Sequence, residues 1–174
     1  KASAELLSQY RMSPSIGALV SDCFYDGKLV TEVVDSRGKS EAELEQITLK
    51  RIVPNIYESQ IATELNSTVT WVDTGNADHF RLEKGSSIYN PHEVTEIIKF
   101  LQRIDQDKSL LSKLVPESDS LKEPAIGVIC TYAEQKHRLR KAFSMCDVSD
   151  ELRSIVRIDT VDSYQGKQNQ IIIL

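Results

Sequence analysis

The chain has 174 residues, of which 40% are hydrophobic and 27% charged, and its formal net charge is −5 at pH 7. This length and composition predict one soluble globular domain with a real core; no apolar run is long enough to span a membrane, and no signal peptide opens the chain. The negative net charge argues against a broad nucleic-acid-coating surface, which would be basic, but it leaves room for a narrow basic groove.

The cysteines indicate a compartment rather than a metal site. Cys23, Cys130 and Cys146 are widely spaced, with no CxxC pair and no Cys/His cluster. A zinc site is therefore not expected, and the three scattered histidines have no metal-ligand spacing. Unpaired cysteines without a secretory signal fit a reducing compartment, and we expect the cytoplasm.

The first predicted long helix begins at Pro14, which suits a first helical turn, and stops at Gly27. Ala2–Ser8 is read as a short helix, so Tyr10 and Arg11 fall on the loop between the two. Apolar residues recur along the longer helix at three- and four-residue steps and predict one buried face: Ile16, Leu19, Val20, Cys23 and Phe24.

The next stretch offers little chemistry. In Ser36–Glu64, charges alternate in sign and Ser40 with Glu43 resembles a capping box, so a solvated helix is expected there. Thr68–Val72 is β-branched and aromatic and predicts a strand. Gly75–Tyr89 is polar and contains glycine, which predicts a loop.

Two further helices and a strand are expected in the middle of the chain. Asn90 as N-cap, Pro91 at the first position and Glu93 three residues after the cap open a helix, and capping is sufficient to explain both Asn90 and Glu93. Ser109–Val115 adds a short helical turn, and Ile126–Cys130 is a buried strand. The first helix buries an apolar stripe: Val94, Ile97, Ile98 and Leu101.

After this strand, a loop over Thr131–Gln135 leads into a helix that turns Leu139, Ala142 and Phe143 inward. A basic cluster on this helix is either a solvated face or a nucleic-acid contact, and the sequence leaves both readings open. The cluster consists of Lys136, His137, Arg138, Arg140 and Lys141.

The last stretch reads as a strand end at Ile158–Val161, a polar loop with Gly166, and a strand at Ile171–Leu174 buried on both faces. Strands that alternate with helices predict an α/β fold with a mostly parallel sheet flanked by helices. Ligands of such sheets gather at the carboxyl ends of strands, where Tyr132 and Thr160 are expected.

Two motifs make the prediction sharper. Leu7–Pro14 reads LSQYRMSP, and Thr160–Gly166 reads TVDSYQG ahead of Ile171–Leu174. In this order they resemble motifs IV and V of superfamily 1 helicases, closest to the 1B branch that includes the helicases of nonsense-mediated decay. The resemblance implies a P-loop-NTPase-type, RecA-like second motor domain that lacks the P-loop itself. The predicted domain covers residues 1–174, and residues 36–64 are predicted to be a variable insert within it.

The resemblance also implies a nucleotide site. Arg11 would reach the ATP γ-phosphate like an arginine finger, the alternative being a surface arginine paired with an acid. Tyr10 would stack on the nucleotide base or brace its loop, and Gln9 would fix the geometry of that loop. Gly166 would allow close backbone approach to the nucleotide. Gln168 would contact the ribose, where the family often has a glutamate.

A second set of residues would hold nucleic acid. Thr160 and Ser163 would contact the phosphate backbone of a single strand without reading its sequence, although such hydroxyls also cap strand ends. Tyr132 and Gln135 would complete this track, and they match a family pattern of Thr-Pro-Tyr-x-x-Gln. Cys130 stands at the threonine of that pattern, so the hydroxyl at that place is lost.

The implied cofactor is ATP with Mg²⁺, shared with an N-terminal RecA-like domain of the same protein, and the implied polymer is single-stranded DNA or RNA. No GxxxxGK[ST] loop is present, so we expect the fragment alone to hold no nucleotide and to be inactive. We also expect it to be monomeric. The resemblance implies an ATP-dependent helicase as the full protein. The alternatives are a nucleic-acid-stimulated remodelling ATPase and a catalytically silent interaction module.

Overall fold

The structure is a computed structural model, and it describes residues 6–32, 68–73, 81–82, 87–115 and 124–174. These residues belong to two compact units: 6–32 and 68–71 lie in the first, and the remainder lie in the second. Within the described residues, no helix combines the length and the apolar character needed to cross a bilayer. The predicted insert at 36–64 lies outside the described residues, and the extent of the domain stays a prediction.

The first unit contains a small βαβ arrangement. Strand β1 covers Ser8–Gln9, helix α1 covers Pro14–Phe24 and strand β2 covers Val30–Thr31. The two strands are parallel, and Gln9 is opposite Thr31 in the register. Helix α1 begins at Pro14 as predicted and ends at Phe24, three residues before the predicted stop at Gly27, whose φ of 74° favours glycine.

Two predictions for this unit are wrong. Ser8 lies in a strand rather than a helix, while residues 2–5 lie outside the described part. Helix α1 buries Gly17 and Ser21, whereas Leu19 and Phe24 of the predicted inner face are 52% and 79% exposed. The reason is that α1 packs closely against β2 through its small residues, which periodicity of large apolar residues does not reveal.

The second unit carries the larger sheet. Strands β5, β6 and β7 cover Ile126–Cys130, Val156–Thr160 and Ile171–Ile173. They are parallel in the order β6-β5-β7, with a 3₁₀ turn at Val161–Tyr164 after β6. The predicted α/β fold with a parallel sheet and flanking helices is confirmed. The helices are α2 (Pro91–Gln106), α3 (Lys108–Leu114), α4 (Ala133–Met145) and α5 (Asp150–Ile155).

Helix packing on this sheet forms the core. Val128, Leu139 and Ile158 are at most 5% exposed and pack together, with Ile97 of α2 and Phe143 of α4 against them. The predicted strand at the end of the chain is present, but the prediction that it is buried on both faces is wrong. Ile171 is buried, whereas Ile172 and Leu174 are 45% and 90% exposed, because only one described neighbouring strand, β5, pairs with it.

Three other elements differ from the predictions. Thr68–Val72 forms no strand, and Trp71 within it is 90% exposed; β-branched residues form strands only where a pleated surface packs them. The predicted loop at 75–89 contains a short antiparallel pair, β3 (Arg81–Leu82) with β4 (Ile88–Tyr89). Helix α5 was not predicted, although Ser149 caps it by accepting from the Leu152 N–H.

The thiols give a direct check of this fold. Cys130 is 3% exposed, and burial raises its pKa to about 11, whereas Cys23 is exposed. At pH 8 roughly a thousandth of Cys130 is thiolate, so iodoacetamide should label Cys23 and leave Cys130 intact in the native chain. Peptide mapping after alkylation measures this. If iodoacetamide labelled Cys130 to the same extent before and after unfolding in urea, the burial of β5 would be contradicted.

Candidate nucleotide and nucleic-acid site

Tyr10 and Arg11 lie on the loop between β1 and α1, as predicted. Tyr10 is 70% exposed and Arg11 is exposed as well. A ring and a guanidinium that face outward from an ordered loop can meet a planar base and a phosphate. Both residues belong to the first unit.

Gln9 holds this loop through both ends of its amide. Its Oε1 accepts the backbone N–H of Arg11 at 2.9 Å and that of Met12 at 2.7 Å. Its Nε2 donates to the Met12 carbonyl at 3.2 Å and to Thr31 Oγ1 at 2.6 Å. The prediction that Gln9 fixes the loop geometry is confirmed.

Gly17 leaves the space that this arrangement needs. A Cβ at position 17 would overlap Thr31 Oγ1 and would lie 2.8 Å from Gln9 Nε2. Such approaches are shorter than real Cβ contacts, so any larger residue would displace one of the two partners. A glycine inside helix α1 is therefore explained by its contact with the loop and strand β2.

The other predicted residues belong to the second unit, mostly at the carboxyl end of its sheet. Cys130 and Thr160 are directly opposite in the β5–β6 register, so both strands end at the same level. Tyr132, two residues beyond β5, is 45% exposed. Thr160 Oγ1 lies 3.4 Å from Ser163 Oγ at the 3₁₀ turn. Two hydroxyls and a half-exposed ring therefore follow neighbouring strands at one edge.

Gln135 is held inside a buried network instead of on this open edge. It is 7% exposed, its Oε1 accepts the Asn90 N–H at 2.9 Å, and its Nε2 donates to Glu93 Oε2 at 3.1 Å. Asn90 Oδ1 in turn accepts the N–H groups of His92 and Glu93. The capping role of Asn90 is confirmed, and Gln135 ties the start of α4 to the start of α2.

The turn around Gly166 is open. Gly166 has a φ of 80°, and no atom of the described residues lies within 4 Å of where its Cβ would stand. Its conformation therefore requires glycine, while packing does not. Gln168 is exposed on the same loop, and Asn169 anchors that loop by donating to the Pro124 carbonyl at 2.6 Å. A ligand can approach the backbone at Gly166 without displacing a neighbour.

Asp159 is the site residue that the sequence analysis missed. It is 8% exposed and lies 3.4 to 3.5 Å from Lys136 Nζ, Arg140 Nη2 and Arg157 Nη2. Burial acts to raise the pKa of Asp159, but the N–H of Thr160 and the side chains of Lys136 and Ser163 outweigh it, so the pKa is lowered. A carboxylate near the end of strand β6, just before the polar loop, was the available signal.

The basic cluster of α4 is largely committed to contacts within the unit. Lys136 and Arg140 pair with Asp159, and Arg140 Nε also donates to the Ile158 carbonyl at 2.9 Å. Arg138 pairs with Glu134 at 2.7 Å and lies over the Tyr89 ring at 3.9 Å. For these three residues, the contacts favour a role within the unit, which matches neither a simply solvated face nor a nucleic-acid contact.

Replacing Asp159 with asparagine should destabilise the chain by about 2 kcal/mol at pH 7, because three cations and the Thr160 N–H lose a charged partner. The folded pKa of Asp159 lies below its unfolded pKa, so its contribution is complete above about pH 4 and is lost as the pH falls. Urea unfolding at pH 7 and pH 3 should therefore show a difference between wild type and variant that shrinks in acid.

The control for this experiment is Asp162→Asn, which changes an exposed carboxylate on the adjacent 3₁₀ turn. It should shift the urea midpoint little at either pH. A loss for Asp159→Asn that is the same at pH 3 as at pH 7 would contradict the assigned ion pairs.

Comparison with known proteins now gives the class. A family model described as AAA domain (AAA_12) matches residues 1–174, and the chain belongs to this family. It is 28% identical over 169 residues to "5'-3' DNA helicase ZGRF1" of Mus musculus, covering 97% of this chain and 7% of that protein. It is 27% identical over 164 residues to "Helicase sen1" of Schizosaccharomyces pombe, covering 94% of this chain and 8% of that protein.

A third relative is the "DNA polymerase alpha-associated DNA helicase A" of Saccharomyces cerevisiae, 28% identical over 169 residues, with 95% of this chain and 21% of that protein covered. The chain thus spans between 7% and 21% of the length of these three proteins. Together with the parallel sheet, the matches identify a RecA-like domain of the superfamily 1 helicase type. They confirm the family resemblance that was predicted from the two sequence motifs.

Proposed function

We propose that this chain is the second motor domain of an ATP-dependent superfamily 1B helicase. In the full-length protein, Arg11 contributes its guanidinium to the ATP γ-phosphate and Tyr10 contributes its ring to the base. Gly166 and Gln168 are the further nucleotide contacts that the resemblance implies. The observation that carries the proposal is the exposed Arg11 on a loop whose backbone makes three hydrogen bonds with the Gln9 side chain.

The chemistry of these residues fits a nucleotide. A guanidinium is charged at any physiological pH and offers paired donors to phosphate oxygens, so it can stabilise the charge that develops during phosphoryl transfer. ATP with Mg²⁺ supplies the energy when bound. Among the described residues, no group of three or more His, Cys, Asp or Glu side chains could hold a metal ion. The resemblance assigns the Mg²⁺ ligands to the N-terminal RecA-like domain.

The carboxyl end of the β5–β6 pair forms this domain's share of a track for single-stranded DNA or RNA. Thr160 and Ser163 donate hydroxyls to backbone phosphates, and the half-exposed Tyr132 ring stacks on a base. Gln135 belongs to the track through its network with Asn90 and Glu93, which holds the start of α4 behind Tyr132. The hydroxyl and ring contacts are independent of sequence, as movement along a strand requires.

A strand-displacement assay with the full-length protein tests this proposal. Duplexes with a 5′ or a 3′ single-stranded tail are incubated with ATP, and we expect unwinding of the 5′-tailed duplex, the polarity implied by the resemblance to the 1B branch. ATP hydrolysis stimulated by nucleic acid without displacement would favour a remodelling ATPase instead. The absence of both activities in a folded protein would favour the silent interaction module.

The cytoplasm is the proposed location, tested by fractionation of cells.

A further inference from the structure

We propose that Gln9 is a positioning residue for Arg11, and that Gly17 and Thr31 complete the device; this inference rests on the proposed function of Arg11. The Gln9 clamp, defined as Gln9, Gly17 and Thr31, joins the loop, helix α1 and strand β2 at one point. Its members are separated by up to 22 residues in the chain, so it forms only when the βαβ unit is folded.

The clamp acts on the backbone of the loop. Gln9 Oε1 accepts two consecutive N–H groups, those of Arg11 and Met12, at 2.9 and 2.7 Å. Two bonds from one acceptor to neighbouring amides fix the two peptide planes that flank the Arg11 Cα. Gln9 therefore sets the position of the Arg11 Cα and the direction of its Cα–Cβ bond, while the rest of the side chain stays exposed.

The other end of the amide is anchored to the sheet. Gln9 Nε2 donates to Thr31 Oγ1 at 2.6 Å and to the Met12 carbonyl at 3.2 Å. Thr31 is the register partner of Gln9, and the Glu32 N–H donates to the Gln9 carbonyl at 2.8 Å. Gly17 brings α1 close enough that a methyl group at that position would enter this contact.

Positional precision is what a transition-state contact needs. A displacement of about 1 Å can cost on the order of a hundredfold in rate, because the reacting groups lose their alignment. An exposed arginine has many rotamers and few neighbours, so its precision depends on the backbone that presents it. The clamp fixes the backbone of the loop, so its loss should displace Arg11 and thereby lower the rate of ATP hydrolysis.

A double-mutant cycle in the full-length protein tests this. Gln9→Met keeps the volume and removes all four hydrogen bonds; we expect kcat for ATP hydrolysis to fall roughly 10- to 100-fold and KM for ATP to change less than about threefold. In the Arg11→Ala background the same change should lower kcat less than about twofold, since Gln9 then has nothing to position. Gln106→Met, an exposed glutamine on α2, is the matched control and should leave kcat unchanged.

Equal factors in both backgrounds, or no loss from Gln9→Met alone, would overturn the clamp while leaving the role of Arg11 intact. Wild-type turnover in Arg11→Ala would overturn the role of Arg11 itself, and with it the clamp. If Gln9→Met does not fold, Thr31→Val takes its place in the cycle; it removes one hydrogen bond, and about a three- to tenfold loss of kcat is expected, again only with Arg11 present. The control for this variant is Thr95→Val, which changes an exposed threonine of α2 and should leave kcat unchanged.

Discussion

Replacing Arg11 with alanine in the full-length protein is expected to lower kcat for ATP hydrolysis on the order of a thousandfold, the scale of a lost arginine finger. The reason is that a guanidinium in contact with the γ-phosphate offsets negative charge that builds up in the transition state. The KM for ATP and the affinity for single strands should change little, because the interaction is strongest during transfer.

Two controls make this result interpretable. Arg11→Lys keeps the charge and loses the planar fork of donors, so an intermediate rate is expected. Lys28→Ala removes an exposed cation of the same unit that is paired with Asp26 at 3.5 Å, and it should leave turnover unchanged. Turnover of Arg11→Ala equal to wild type, with a normal unfolding profile, would remove Arg11 from the mechanism.

Replacing Tyr132 with alanine should weaken single-strand binding roughly 5- to 150-fold, the range for loss of one base–aromatic stack. The ring is 45% exposed two residues beyond β5, and Thr160 and Ser163 end and follow the neighbouring strand at the same edge of the sheet. Fluorescence anisotropy with a labelled oligonucleotide measures the Kd. Turnover at saturating oligonucleotide should stay near wild type, which separates this variant from Arg11→Ala.

The matched variants for this position are Tyr132→Phe and Met145→Ala. Phenylalanine keeps the ring, so its Kd should rise less than about twofold if stacking carries the contact. Met145 is 75% exposed at the far end of α4, the helix that begins directly after Tyr132, and its replacement should not affect binding. An unchanged Kd for Tyr132→Ala would exclude the ring from the track.

Buried strands and capped helices were predictable because their signals are local. Ile126–Cys130 is a short apolar run that follows Pro124 and Ala125 and ends at Thr131, and the structure buries it in the middle of the three-stranded sheet. Asn90 and Glu93 carry their own hydrogen-bond partners, so helix α2 could be placed from four residues. Thr68–Val72 shows the limit, because strand formation needs a partner that the run itself does not specify.

The motif loops were predictable, but the contacts that hold them were not. QYRM marks Arg11, while the roles of Thr31 and Gly17 depend on a register and a helix packing distance that exist only in the folded unit. Asp159 is a similar case, because its three cations come from α4 and from its own strand. Gln135 matched the expected track pattern, yet its amide is bonded within a buried network.

Steady-state ATP hydrolysis by the full-length protein, measured with and without single-stranded DNA and RNA, is the experiment that bears on the proposed motor as a whole. We expect slow hydrolysis alone and strong stimulation by at least one polymer, which would also identify its track. Hydrolysis at the same rate with and without either polymer would contradict a motor driven by nucleic acid. No hydrolysis at all in a folded, full-length protein would contradict an ATPase and leave an interaction module.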